Sequence, residues 1–306
     1  MNTAGSGRLT RLVWRYELPT VALAAAIYGA WFLLVAFHAY IPWWLLIPLA
    51  GYVVGWHHSL RHETVHGLRR WPVWLKYLLV APPLTVWNPY PAFRRSHSRH
   101  HVNANLTTPG TDPESYYHTK AQWRAMGPVW RAIWIVNQTV LGRLLIGPAL
   151  YLWKMIKREP MRILRGDMTN ALAWAVHVPL VVAMLWGLQS VFGLVWWQYL
   201  LVFAYPGQSV ALWRAFYEHR WGDDAKERTV IVEASLPMGL LYLFNTLHAA
   251  HHQHPTLPWY ELPRYYRDNR EAILADNGNY LFADGYWGMV RRWLVKPVFI
   301  PVHPTL

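Results

Sequence analysis

The chain alternates long apolar runs with basic, histidine-rich segments. Residues 21–38 and 43–58 are mostly apolar and are separated by a short turn, and residues 171–190 and 196–213 form a second pair of the same kind. A transmembrane helix takes about 17–25 residues. The pattern therefore predicts an all-α integral membrane protein with four transmembrane helices in two hairpins.

The basic residues predict how these spans are oriented. The turns at 38–42 and 187–193 contain no Lys or Arg, whereas basic residues concentrate in the N-terminal segment, in 61–165 and from Arg214 onward. Loops rich in Lys and Arg stay on the cytoplasmic side of a membrane. We therefore expect both turns to face outward and both termini to lie in the cytoplasm, in a bacterial inner membrane.

Histidines are clustered at helical spacing in three distant parts of the chain. The first cluster is an i, i+4 pair, and the other two have the pattern HxxHH, which places three imidazoles on neighbouring faces of one helix. Such clusters predict a shared metal site on the cytoplasmic side. The clustered residues are His62, His66, His97, His100, His101, His248, His251 and His252.

Two further apolar stretches, 71–87 and 130–155, contain basic residues. If either crossed the membrane alone, it would separate the histidine clusters, so we expect helices that lie in the interface or re-enter it. The expected architecture is a single membrane-embedded domain over 1–306. Residues 59–170 and 214–306 would form its histidine-rich cytoplasmic cap.

His219 stands alone after the fourth apolar run and would bring the number of candidate ligands to nine. Nine imidazoles exceed the coordination of one ion and suit two ions, and a shell of neutral nitrogen donors admits Fe, Cu, Ni or Zn. Metal-bound imidazoles usually donate their second N–H to a carboxylate or carbonyl. The candidate carboxylates are Glu63, Asp112, Glu114, Glu218 and Glu233.

Composition supports a membrane protein. Hydrophobic residues make up 54% of the 306 residues and charged residues only 15%, with 21 Trp and a net charge of +13. Trp is typical of membrane–water interfaces, and the positive charge suits an anionic membrane face better than nucleic acid here. The chain has no cysteine, which excludes a thiolate metal site or an iron–sulfur centre.

One alternative is a zinc metalloprotease inside the membrane. Residues 62–66 read HETVH, the HExxH pattern in which Glu63 would act as general base. Such a zinc needs only one further protein ligand, which would leave the other clustered histidines without a role. A passive histidine-rich metal carrier is a second alternative.

The boxes HxxxH, HxxHH and HxxHH, together with two apolar hairpins, resemble the membrane-bound fatty acid desaturase and hydroxylase superfamily. Residues 214–220, 227–233 and 255–263 resemble its bacterial acyl-chain branch. The resemblance implies two iron ions held by the nine histidines, with Asn245 approaching an iron through a water molecule. It also implies dioxygen as oxidant and a fatty acid or acyl lipid as substrate.

The resemblance favours desaturation of the acyl chain. Decarboxylation of free fatty acids to terminal alkenes remains an alternative, as does hydroxylation of an alkyl, acyl or carotenoid substrate. Because the chain contains no haem or flavin motif and no cysteine, electrons would come from an external donor such as ferredoxin and its reductase. His177, inside the third apolar run, needs a polar partner there.

Overall fold

The computed structural model describes residues 16–101 and 105–306, and the predicted helical class is confirmed. The basic segment 1–15, expected in the cytoplasm, lies outside the described residues. In chain order the helices are α1 Leu18–Ala36, α2 Trp43–His66, α3 Val73–Leu79, α4 Tyr90–His101, α5 Lys120–Ala125, α6 Pro128–Val136, α7 Val140–Leu145, α8 Gly147–Leu164, α9 Met168–Phe192, α10 Trp196–Tyr199, α11 Tyr205–Glu218, α12 Leu236–Leu241, α13 His248–Gln253, α14 Leu262–Asp276 and α15 Gly285–Trp293.

Two of the described helices, α1 and α9, are long and apolar enough to cross a membrane. The side chain of Asp167 caps α9 by accepting a hydrogen bond from Asn170 N, and Gly193 ends the helix with a φ of 72°. Only glycine adopts that left-handed conformation without steric cost. Large apolar side chains such as Trp186, 72% exposed, project from α9, as expected for a helix that contacts lipid.

The last apolar run is not one regular helix. Between α10 and α11 the residues Leu200–Ala204 form a π-helical turn, and Pro206 follows in the first turn of α11. Such π segments are rare and often occur at functional sites. The other apolar stretches are also broken, because 71–87 contains only the short α3 and 130–155 is divided among α6, α7 and the start of α8.

Helices α2 and α11 pack closely through glycine. A β-carbon added at Gly51 would lie 2.9 Å from Pro206 Cβ, and one added at Gly55 would lie 2.6 Å from Val210 Cγ1. The contacts follow the same order along both helices, so the two helices run parallel. Small residues at i and i+4 allow this approach between helix backbones. The parallel packing brings the histidine-bearing C-terminal ends of both helices to one level.

A short parallel sheet holds the last histidine helix in place. Strand β1, Ile231–Val232, pairs with β2, Leu281–Phe282. Val232 N donates to Thr246 O at 2.9 Å, and Ala249 N donates to Val230 O at 2.9 Å. These bonds fix α13 against β1. The sequence does not predict this sheet, because two-residue strands leave no periodic pattern.

Candidate metal centre

The nine predicted histidines converge between the C-terminal ends of α2, α4 and α11 and helix α13. They form two groups, and within each group one ring nitrogen of every residue lies within 4.8 Å of those of the others. We call them the five-histidine group and the four-histidine group. The five-histidine group is His62, His66, His97, His101 and His251, and the four-histidine group is His100, His219, His248 and His252.

Each HxxHH box contributes to both groups. In α4, His97 and His101 enter the five-histidine group and His100 enters the other; in α13, His248 and His252 enter the four-histidine group and His251 the other. At 3.6 residues per turn, positions i and i+4 are about 40° apart around the helix axis. Position i+3 is displaced from position i in the opposite direction, away from i+4. The spacing therefore lets one helix serve two adjoining sites.

The distances between imidazole nitrogens fit metal coordination. His219 Nε2 lies 2.9 Å from His100 Nε2 and 3.0 Å from His248 Nε2, and His97 Nε2 lies 3.0 Å from His101 Nε2. With a metal–imidazole bond of about 2.0–2.1 Å, taken from zinc, ligands about 90–109° apart have nitrogens about 2.8–3.4 Å apart. The observed distances fall in that range.

The outer hydrogen bonds show which nitrogens are free to bind a metal. His100 Nδ1 lies 2.9 Å from Asp112 Oδ1, and His219 Nδ1 lies 3.2 Å from Arg228 O. Because both partners are acceptors, each Nδ1 carries a proton, and the two Nε2 atoms face each other at 2.9 Å. A cation between the two Nε2 atoms, either a proton or a metal ion, prevents repulsion between their lone pairs. The buried Nε2 of His66 likewise has no hydrogen-bond partner among the described residues.

Burial keeps most of these imidazoles neutral. It lowers the pKa of His248, His251 and His252 well below the ordinary value, so their nitrogens stay available as ligands. His100 is the exception. Although burial alone would lower its pKa, the carboxylates of Glu114 and Asp112 raise it to about 9. A cation is therefore favoured at this position, whether a proton or a metal ion.

Three of the five predicted carboxylates contact the histidines. Asp112 is 4% exposed and binds His100. Glu114 Oε1 lies 3.1 Å from His97 Nδ1. Glu218 Oε1 lies 3.4 Å from His248 Nδ1 and 2.7 Å from Arg214 Nη1.

The other two predicted carboxylates bind elsewhere. Glu63 Oε1 accepts from Trp259 N at 3.3 Å, and Glu233 Oε1 accepts from Tyr266 Oη at 2.7 Å and from Arg270 Nε at 2.8 Å. The Glu63 bond ties α2 to the segment before α14, and the two Glu233 bonds tie the residue after β1 to α14. The contacts of Glu63 give it no place among the imidazoles, so they do not favour a role as general base of a zinc protease.

Asn245 lies between the two groups. Its Oδ1 is 3.1 Å from His248 Nδ1, and its Nδ2 is 3.3 Å from His62 Nε2 and 3.4 Å from Glu218 Oε1. The two residues before it, Leu243 and Phe244, have φ values of 49° and 54°. Left-handed backbone at bulky residues is costly and tends to occur at functional sites.

A cavity of about 210 Å³ adjoins the metal centre. Its lining includes His62 and His97 of the five-histidine group and Tyr151, Lys154 and Arg158 of α8. These α8 residues were not among the predicted site residues. Their spacing of three and four residues on an amphipathic helix was the available signal.

His177 lies outside both groups, and its Nε2 donates to Val86 O at 2.9 Å, which supplies the partner expected for it.

The comparisons with known proteins agree with this arrangement. A model of the fatty acid desaturase family matches residues 39–284, a range that includes all nine histidines, Asn245 and the cavity residues. A search of curated proteins found no match to the chain.

Proposed function

The chain belongs to the fatty acid desaturase family, and from that premise we propose that it desaturates a fatty acyl chain with dioxygen at a di-iron centre. The family implies an oxidoreductase that acts on fatty acyl chains. The observation that carries the di-iron proposal is the pair of adjoining histidine groups, five and four residues. In this proposal each group holds one iron, and the ring of His101 stacks on that of His252 at 4.3 Å where the groups meet.

When bound, the two irons would supply the redox chemistry with dioxygen that breaks unactivated C–H bonds. The overall reaction balances as CH₂–CH₂ plus O₂, two electrons and two protons giving CH=CH and two waters. The chain's own residues hold the imidazoles in the required tautomer through Asp112, Glu114 and the Arg228 carbonyl. Asn245, between the groups, would bind a water molecule beside one of the irons.

We place four spans in the membrane, namely α1, residues 43–58 of α2, α9, and α10 with most of α11. Length and apolarity support α1 and α9 directly. The parallel packing of α2 and α11 supports the other two, because the second helices of two hairpins leave the membrane on the same side. With the positive-inside rule, the histidines and the cap face the cytoplasm of a bacterial inner membrane.

The electrons would come from an external donor such as ferredoxin with its reductase. The net charge of +13, concentrated outside the spans, would steer an acidic donor to the cytoplasmic face. If turnover were independent of salt and of the donor protein supplied, electrostatic docking would be refuted.

The test compares expressed wild-type protein with His251→Ala. His254→Ala is the matched control, since His254 is exposed, packs on Tyr265 and lies outside both histidine groups. We expect gas chromatography–mass spectrometry to show lipids with a new double bond for wild type and His254→Ala but not for His251→Ala. Elemental analysis should show about two irons per chain in wild type and in His254→Ala.

Other products would contradict desaturation. An added oxygen would indicate hydroxylation, and loss of one carbon would indicate decarboxylation. About two zinc ions without iron in an active preparation would refute dioxygen chemistry altogether.

A further inference from the structure

A second cavity, with a volume of about 510 Å³, lies between α9 and the segment 77–91. We call it the membrane-side cavity. Its volume is typical of sites for small molecules. One face of α9 forms a wall from Thr169 to Leu180, and at a rise of about 1.5 Å per residue this wall is about 16 Å long. The apolar part of a bilayer is about 30 Å thick, so the wall matches the depth of one leaflet.

The membrane-side cavity opens toward lipid. Leu78, Leu172 and Val176 belong to its lining and are also 60%, 67% and 54% exposed. Because α9 lies in the membrane in the proposed topology, these exposed side chains meet acyl chains rather than water. A ligand therefore enters this cavity from the bilayer, and a soluble carrier has no direct access to it.

The lining of the membrane-side cavity suits hydrocarbon, because most of its side chains are apolar. Two polar side chains of the lining are turned to protein acceptors. His177 Nε2 donates to Val86 O at 2.9 Å, and Arg61 donates to Thr85 Oγ1 at 2.7 Å and to Asn88 Oδ1 at 2.9 Å. An occupant without polar groups leaves these bonds intact and gains dispersion contacts with the apolar wall.

Asn88 lines the membrane-side cavity and also the cavity beside the metal centre. Its side chain joins a residue of each lining, because Oδ1 accepts from Arg61 and Nδ2 donates to Tyr151 Oη. The lining of the cavity beside the metal centre includes His62 and His97. The two cavities therefore adjoin at Asn88, and a chain that passes this residue arrives at the five-histidine group.

We propose that the membrane-side cavity takes up an acyl chain directly from the bilayer, and that the chain reaches the metal centre past Asn88. The substrate is then an acyl lipid dissolved in the membrane, such as a free fatty acid, rather than a chain presented by a soluble carrier. This inference rests on the proposed function for the oxidation of the chain. The site itself rests on the cavity lining, on its opening toward lipid and on the shared residue Asn88.

The closing experiment first measures binding without turnover. Purified metal-loaded protein in lipid nanodiscs is irradiated with a hexadecanoic acid that carries a photoreactive diazirine on its chain, with and without an excess of plain hexadecanoic acid. Mass spectrometry locates the labelled residues. The variants are Ala173→Trp, the smaller Ala173→Leu and the matched control Ala175→Trp. Ala173 is 8% exposed and lines the cavity, whereas Ala175 is exposed on the same helix and lies outside the lining.

In wild type and Ala175→Trp we expect labelling that excess acid competes away, both in the membrane-side cavity and at Tyr151. Ala173→Trp should reduce this competed labelling by about 10-fold, because its indole takes the space of the ligand, and Ala173→Leu should reduce it less. Metal content and thermal unfolding verify that each variant is folded, and if Ala173→Trp is not, the comparison with Ala173→Leu decides.

Two results would overturn the proposal. Labelling that excess acid does not reduce, or equal labelling in both tryptophan variants, would show surrounding bilayer lipid only. Competed labelling of the membrane-side cavity without labelling of Tyr151 would refute passage at Asn88.

Turnover then separates this inference from the proposed function. With membrane-dissolved hexadecanoic acid, Ala173→Trp should lower kcat/KM by about 10-fold at unchanged iron content, and Ala175→Trp should match wild type. Normal oxidation by folded Ala173→Trp would overturn the inference and leave desaturation standing. Competed labelling that depends on position 173, in a protein that oxidises no lipid, would refute the proposed function and leave the acyl-chain site standing.

Discussion

Replacing Asp112 with asparagine tests whether the carboxylates hold the imidazoles ready for metal. Asp112 is 4% exposed. Its Oδ1 accepts from His100 Nδ1 at 2.9 Å and from Glu114 N at 2.9 Å, and its Oδ2 accepts from Thr107 N at 2.8 Å. All three partners donate, so an amide in place of the carboxylate must turn its NH₂ group toward at least one of them.

The structure indicates the size of the effect. The least costly orientation keeps the amide oxygen on His100 and leaves Thr107 N unpaired, which costs about 1–3 kcal/mol of folding stability. Loss of the carboxylate charge also makes His100 a weaker ligand. Loss of such a supporting partner typically lowers metal affinity by about 10- to 100-fold, or about 1.4–2.8 kcal/mol.

The assay is iron content after dialysis against a graded series of chelator concentrations, together with thermal unfolding. The control is Asp268→Asn, which removes an exposed carboxylate 3.6 Å from Arg264 and should behave as wild type. We expect Asp112→Asn to lose its metal at a chelator concentration about 10- to 100-fold lower than wild type does. If its metal retention equals that of wild type, Asp112 does not support a metal ligand and the tautomer argument fails.

Gly55→Leu should separate α2 from α11 and lower metal content, because the new side chain meets Val210. Gly29→Leu should leave metal content unchanged, because nothing lies within 4 Å of a β-carbon added there. Equal metal content in both would refute the role of close packing. Asn245→Ala should keep both metals but slow turnover, measured by elemental analysis beside product formation, and loss of metal would instead make Asn245 structural.

The convergence of the clustered histidines could be predicted from sequence because it depends mostly on spacing within single helices. In an HxxHH box the three imidazoles share one turn of helix, so spacing alone brings them together. The structure places His97, His100 and His101 on α4 as that spacing requires. The position of His219 was harder to predict, since it follows α11 in extended conformation, with a φ of −133°. Its place depends on how α11 packs against α2, which periodicity does not show.

The parts that could not be predicted depend on contacts between distant segments. Glu63 lies one residue from His62, yet its position on α2 directs it to Trp259 N. Glu233 is directed to α14 by Tyr266 and Arg270. Proximity in sequence was therefore a poor guide to which carboxylate supports an imidazole. The pairing of β1 with β2 could not be predicted for a related reason, because it joins residues about fifty positions apart.

The division of the boxes between the two groups has a consequence for the whole centre. Because α4 and α13 each contribute to both groups, neither group can change its ligand geometry without moving the helix that also serves the other. Substitutions in one group should therefore be non-additive with those in the other, as is general for residues that share a network. The HxxxH pair on α2 contributes to one group only. The parallel packing of α2 against α11, which contributes through His219 to the other group, thus joins the two halves of the site.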